Sequence, residues 1–349
     1  MQHIQLSPGY EISRVIRGGW QLSDSHGTAT SDDPVGDMIA FADAGITTFD
    51  CADIYTGVEE LIGRFRLRYR DLRGQRALDR IKVHTKFVPD RDILPHITKS
   101  YAEGIIDTSL RRLNMERLDL VQFHWWNYGV PRWLEAAQWL ADLQRAGKID
   151  KIGGTNFDTS HLLDMIKAGV PVASMQVQYS LLDRRPAKSM VQAALEHGVA
   201  LLCYGTVAGG FLSERWLGVP EPAGPLENRS LTKYKLIIDE FGGWELFQIL
   251  LKTLRDIARR HRSDIATVAS AAVLTWPRVA GVIVGARNRA HLPANLAIAD
   301  LSMTAGDHGE IAKVLDQANQ LEGDVFELER DATGRHGSIM KYNLNKGAA

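Results

Sequence analysis

The chain has 349 residues, with 41 Lys and Arg against 42 Asp and Glu, a formal net charge of −1, and 45% hydrophobic residues. That length holds either two domains or one large α/β barrel, and the balanced charge gives no electrostatic reason to expect nucleic acid or an anionic membrane as partner. No apolar run nears ~20 residues, which argues against a membrane-spanning helix, and two cysteines, Cys51 and Cys203, are too few for a disulfide framework. The opening MQHIQLSPGYEISRVI has neither the basic nor the apolar region of a secretory leader, so a cytoplasmic protein is expected.

Short, mostly apolar runs recur at 15–20, 46–50, 81–86, 118–124, 149–155, 172–177, 199–204 and 279–284, with helical patterns between them. Ile97, Tyr101, Ile105 and Leu113 share one helical face, and so do Trp133, Ala137, Leu140 and Leu143. Pro34 and Pro131 stand where a first helical turn would open, and Asp158 reads as an N-cap. Gly45, Gly147, Gly169 and Gly198 each close a helical pattern just before an apolar run. Eight strand-helix units over about 300 residues predict a single closed (β/α)8 barrel, spanning roughly 10–320. A doubly wound sheet is the alternative, but the glycine-rich fingerprint it would carry after its first strand is absent. Two stretches break the rhythm. Residues 209–243, rich in Pro and Gly after the seventh strand, read as a lid on the catalytic face or as disorder. The polar stretch 321–349, with Gly334, Gly337 and Gly347, is expected to fray or pack loosely.

Barrel enzymes carry their chemistry at the C-terminal ends of strands. Here the second run ends in Asp50 with Tyr55 close behind, the third in Lys86 and the fourth in His124. The fifth leads to Asn156, the sixth carries Gln176 and the seventh ends in Tyr204. Taken singly, each has a plainer structural reading. Asp50 could cap a turn, Tyr55 pack with its hydroxyl at the surface, Lys86 snorkel, and His124 sit in the core beside Trp125 and Trp126. Together they point elsewhere, because burying Lys and Asp unpaired is costly. A phenol of pKa about 10 is a poor acid at neutral pH. An adjacent ammonium favours the phenolate, and a carboxylate holds that ammonium charged and in place. An imidazole nearby can orient a carbonyl oxygen or relay a proton. The set suits protonation of a developing alkoxide, and since no side chain here delivers hydride, a nicotinamide cofactor is implied.

The motifs Gly18-Gly19-Trp20, FDCADIY, VHTK, LVQFH, GTN, SMQVQY and VIVGARNRAHLPAN resemble, in order and spacing, the aldo-keto reductase superfamily. The resemblance implies a (β/α)8 barrel that binds nicotinamide cofactor without a Rossmann domain. It implies Tyr55 as general acid, Lys86 and Asp50 as its tuning pair and His124 as the imidazole that orients substrate. Gly19, Trp20 and Asp50 would border the cofactor, Asn156 and Gln176 would hold its carboxamide, and Tyr204 would stack on the nicotinamide. Gly205, Thr206, Val207, Gly209 and Leu212 fall on the strap over the pyrophosphate; Gly285, Arg287, Asn288, His291 and Asn295 fall at the adenosine end. Trp20, Trp125 and Trp126 would wall the pocket for a carbonyl or alcohol substrate. The chain departs from the family where Gly205-Thr206-Val207 replaces Ser-Pro-Leu, His291 replaces Arg or Gln, and Ala294 replaces Glu. Arg287 offers a bidentate partner for a 2′-phosphate, so NADP(H) is favoured and NAD(H) remains possible.

Two other functions fit the same residues: a cofactor-binding regulatory or scaffold protein of slow turnover, and a Schiff-base aldolase using Lys86. Other signals carry less. No HExxH pair or Cys/His spacing suggests a metal. His84 reads as interior packing and Cys51 as a quiet buried thiol. The arginine-rich stretch 64–76 reads as the solvated face of a helix. The oligomeric state is not legible.

Overall fold

The structure, a computed structural model, describes residues 1–23 and 31–345. Two strands, β1 (His3–Ser7) and β2 (Tyr10–Ser13), pair antiparallel at the start. Eight parallel strands follow: β3 (Val15–Gly18), β4 (Thr48–Asp50), β5 (Lys82–Phe87), β6 (Leu118–Phe123), β7 (Ile149–Thr155), β8 (Val172–Gln178), β9 (Ala200–Tyr204) and β10 (Val279–Gly285). They close into a barrel in sequence order, β10 pairing with β3. The helices are α1 (Pro34–Asp43), α2 (Val58–Arg73), α3 (Gln75–Leu78), α4 (Lys99–Leu113), α5 (Trp133–Arg145), α6 (Thr159–Lys167), α7 (Met190–His197), α8 (Arg229–Phe241), α9 (Gly243–Arg260), α10 (Ile265–Leu274), α11 (Leu292–Asp300), α12 (Ala305–Leu315) and α13 (Glu327–Arg330). This is the expected (β/α)8 barrel.

Local chemistry explains most of the boundaries. Pro34 opens α1, and the Asp158 carboxylate caps α6 by accepting from His161 N. The four glycines before strands take positive φ, from 71° at Gly198 to 95° at Gly45, which side chains disfavour. Pro131 differs from its expected role. Arg132 takes a left-handed φ of 80°, so α5 starts only at Trp133. The arginine-rich α2 buries Phe65 and Tyr69 and leaves Arg64, Arg68 and Arg70 to solvent. No helix among the described residues is long and apolar enough to cross a membrane.

Three additions to the repeating unit shape the two ends of the barrel. At the bottom, Leu6, Tyr10 and Ile12 of the β1–β2 hairpin pack on Ile16, Leu120, Ala200, Leu202 and Ala280, so the hairpin plugs the barrel floor. At the top, the 209–243 stretch is more ordered than expected. Leu231, Tyr234, Ile237, Ile238 and Phe241 recur at three- and four-residue steps, and burying that face makes α8. The expectation of a loose C-terminal stretch is overturned over 321–345; residues 346–349, Gly347 among them, lie outside the described residues. Glu329 of α13 is fully buried, and its two oxygens accept from Arg185 Nη1 and Nη2 at 2.9 Å each. Further on, the Leu344 and Asn345 amides both donate to Asp90 Oδ1 at 2.9 Å. Charge pairing and backbone capping, together with burial of Leu321, Val325 and Phe326 in the hydrophobic core, dock this largely polar segment across the barrel mouth.

Candidate active site

Parallel register gathers the strand ends. Gly18 stands beside Asp50, Lys86 beside Gln122, and Thr155 beside Gln176. Between them lies a cavity of about 350 Å³. Trp20, Asp50, Tyr55, Lys86, His124, Trp126, Asn156, Gln176, Tyr204, Gly205, Val207, Gly209, Gly285 and Arg287 line it, all residues singled out from the sequence.

The floor is ionic. Lys86 Nζ donates to Asp50 Oδ2 at 2.7 Å and to the Cys51 carbonyl at 2.8 Å, and the pair is almost wholly buried. Asp50 Oδ1 also accepts from Gln122 Nε2 at 3.0 Å and Gln176 Nε2 at 2.7 Å. The carboxylate therefore has partners on both oxygens, which is what makes its burial tolerable. Burial opposes the Lys86 charge, but Asp50 outweighs it, so the ammonium titrates above its ordinary range. The Lys86 ammonium stands 5.0 Å from the centre of the Tyr55 ring. Burial raises the Tyr55 phenol above its ordinary range, and Lys86 pulls it back only in part. The sequence expectation was that the ammonium would dominate; desolvation of the phenolate is the larger effect here.

His124 completes the pocket. Its Nδ1 lies 3.0 Å from the Thr155 carbonyl, and Nε2 is buried without a partner. Burial, helped by the charge of Arg330, lowers its pKa to about 3, so the ring is neutral at ordinary pH. Trp126 packs edge-on against it at 4.3 Å, and Trp20 meets the Tyr55 ring at 5.0 Å.

Several sequence-derived positions stand elsewhere. Trp125 is fully buried beneath the rim and donates Nε1 to the Asn127 carbonyl, so it cannot wall the pocket. β6 ends at Phe123, and the chain then turns Trp125 into the core and Trp126 to the cavity. Thr206 and Leu212 are buried behind the strap, Thr206 with its hydroxyl 2.9 Å from that of Ser270. Gly19, Asn288, His291 and Asn295 lie outside the lining. Gly19 is held against Asp50, its amide 2.7 Å from that carbonyl, and Asn288 spends its side chain capping a turn at Ala290 N. Asn295 is buried with an unpartnered Nδ2, and His291 lies close enough to Arg287 to feel its charge. Gln176 spends its amide on Asp50 and Gln122, and Asn156 Oδ1 accepts from the Tyr204 hydroxyl at 2.8 Å.

Other lining residues had no local signal. Arg229, Lys233 and Tyr234 come from α8, and Phe326, Ile339, Met340 and Leu344 come from the C-terminal segment. Lys233 is caged by the rings of Tyr204, Tyr234 and Phe326 at 5.3, 5.6 and 5.7 Å, with Glu329 3.9 Å away. The first group falls within 209–243, which the sequence marks as a lid on the catalytic face or as disorder without singling out any of these three.

The profile of the Aldo/keto reductase family matches residues 14–316. The chain belongs to that family. Aldo-keto reductase YhdN of Bacillus subtilis is 30% identical over 211 residues, covering 59% of this chain and 61% of YhdN, so the match spans less than two thirds of that relative's length. The chloroplastic pyridoxal reductase of Arabidopsis thaliana is 26% identical over 324 residues, covering 87% of this chain and 83% of the relative. Among solved structures, the thermostable aldo-keto reductase Tm1743, determined with the inhibitor epalrestat, matches with a TM-score of 0.67 and 25% identity, covering 90% of this chain and 100% of the other.

Proposed function

We propose that this aldo/keto reductase family member is an oxidoreductase that interconverts small carbonyl compounds and alcohols, with Tyr55 as proton donor and acceptor. The observation that carries the reading is the Lys86–Asp50 ion pair, 2.7 Å long and buried at the cavity floor next to the Tyr55 ring. When bound, a nicotinamide cofactor supplies or removes the hydride. The cavity suits such a group. Glycines 205 and 209 leave no room for a Cβ against Tyr234, and Arg229, Lys233 and Arg287 face the same space with positive charge. Gly205, Val207 and Gly209 would pass over the pyrophosphate, and Tyr204 would meet the nicotinamide ring. Arg287 would meet a 2′-phosphate, which favours NADP(H) over NAD(H).

Tyr55, protonated at neutral pH, donates its proton to the carbonyl oxygen as negative charge develops there. Lys86 stabilises the phenolate left behind, and Asp50 holds Lys86 charged and aimed. The same arrangement argues against an aldolase. A Schiff-base lysine must lose its proton to attack, and Asp50 holds that proton on Lys86. The complete set of polar groups at the floor favours turnover over a purely regulatory role.

The test is Tyr55→Phe. Turnover falls by about 10²–10⁴-fold with little change in cofactor affinity; undiminished turnover removes the assignment. Arg287→Ala raises KM for NADPH by about 10-fold and leaves NADH little changed. Both are read from the absorbance of reduced nicotinamide.

A further inference from the structure

A second cavity, of about 270 Å³, lies between the chain that follows β8 and the start of the C-terminal segment. It shares no lining residue with the catalytic cavity. Arg184, Arg185 and Lys188 give it three cationic side chains, and no acidic residue lines it. Arg185 is spent. It bridges Asp183 and Glu329, and with Lys233 beside Glu329 those four charges cancel. Arg184 and Lys188 meet only carbonyls. Arg184 Nη2 donates to the Leu315 carbonyl at 2.9 Å, and Lys188 Nζ donates to those of Leu321 at 2.7 Å and Gly323 at 3.3 Å. Leu315 ends α12, so Arg184 meets the negative end of a helix dipole, worth about half a charge against the two full cations. Asp316 and Glu322, which follow Leu315 and Leu321 in the chain, stay outside the lining.

Neutral donors surround the same space. Asn319 and Gln320 line it, and neither side chain is hydrogen-bonded to a described residue. Leu321 is buried, yet its N–H donates to no described residue, and a main-chain donor in a buried stretch is costly to leave unpaired. A guanidinium fork and an ammonium, with amide donors beside them and no competing carboxylate, match the several acceptor oxygens of a phosphate. Leu182, Ala187 and Leu321 add an apolar wall for a short carbon body. We propose that this cavity binds a phosphate dianion, free or as the monoester of a small metabolite, and that the bound anion fastens the root of the C-terminal segment. Arg184 and Lys188 stand on the barrel side, Gln320 and Leu321 on the segment side, so the anion bridges the two. The segment carries Phe326, Met340 and Leu344 over the catalytic cavity, and the anion slows its opening without touching a reacting atom.

The site is independent of the Tyr55 reading, and so is its test. The full chain at pH 7.5 is titrated calorimetrically with inorganic phosphate and with glycerol 3-phosphate, the ionic strength held constant with sodium chloride. Saturable binding to a single site is expected. Affinity falls by about 10-fold in Arg184→Gln and in Lys188→Gln, and it is unchanged in Arg287→Ala, which strips a cation from the catalytic cavity instead. Absence of saturable binding overturns the site, as does binding that survives both glutamine variants or is lost in Arg287→Ala. Should Arg184→Gln fail to fold, Lys188→Gln decides alone. Tighter binding of the ester assigns a phosphorylated metabolite; equal binding assigns phosphate itself, and either upholds the site. At ligand concentrations about ten times the Kd, proteolytic cleavage after residue 321 slows by about 10-fold in the parent and hardly at all in Lys188→Gln. A cleavage rate indifferent to the ligand removes the fastening role.

Discussion

Lys86 holds two roles that one substitution separates. It neutralises Asp50 in a nearly water-free floor, and it offsets part of the burial that raises the Tyr55 phenol. In Lys86→Met the Asp50 carboxylate keeps only the neutral amides of Gln122 and Gln176. Stripping one partner from a buried ion pair costs about 3–5 kcal/mol, visible as a lower denaturant midpoint. With the ammonium gone, the phenol titrates still higher, so the alkaline limb of the oxidation rate moves to higher pH. A limb that stays in place would separate Lys86 from the tuning of Tyr55. The identities of these groups were legible in the sequence because each sits at or just after the end of a strand, where a barrel repeat dictates location. The net direction of the Tyr55 shift was not, since it depends on how much of the phenol the folded walls cover.

The C-terminal element shows how polar sequence becomes interior. Arg185 links Asp183 and Glu329, with all three side chains about 1% exposed or less. Burial works to raise the Glu329 carboxyl, but Arg185 and Lys233 overcome it and hold the pKa near 2. A carboxyl whose pKa drops on folding lends stability above its unfolded value, near 4.5, and loses it as pH falls from there toward 2. Docking of the segment is therefore expected to weaken over that acid range, read as faster proteolytic cleavage after residue 321. Glu329→Gln should bring the same cleavage to neutral pH, and a variant as resistant as the parent would show that the ion pair does not hold the segment. None of this follows from the composition of residues 321–345, whose glycines and charges suggested fraying. Arg185 lies 144 positions upstream of Glu329 and Lys233 lies 96 upstream, beyond the reach of any local pattern.

On the scale of the whole molecule, the closed barrel buries two histidines as neutral rings. His84 and His124 both have pKa values lowered to about 3, first by burial and then by the positive charges of Lys86 and Arg330 respectively. Between about pH 3 and 6.5 the unfolded chain binds these two protons and the folded chain does not. Stability is thus expected to decline as pH falls below about 6.5, with the loss levelling off near 3. His84 has neither ring nitrogen partnered, packs on Tyr10 of the floor hairpin and does not line the cavity. In His84→Leu the decline in thermal midpoint from pH 7 to pH 5 should be shallower, and an identical slope would place the acid sensitivity elsewhere.

The alternation of apolar runs and helical faces sufficed to specify eight strands, their order and the residues at their upper ends. That information is local: side-chain periodicity and glycine or proline punctuation act within a few residues. Folding alone settled which of two adjacent tryptophans meets the cavity, that Leu6, Tyr10 and Ile12 plug the floor, and that Arg330 ties the carbonyl of Trp125, next to His124, to that of Asn156. Each of these outcomes arises where distant segments compete for the same space and the same hydrogen-bond partners, and such competition leaves no periodic trace along the chain.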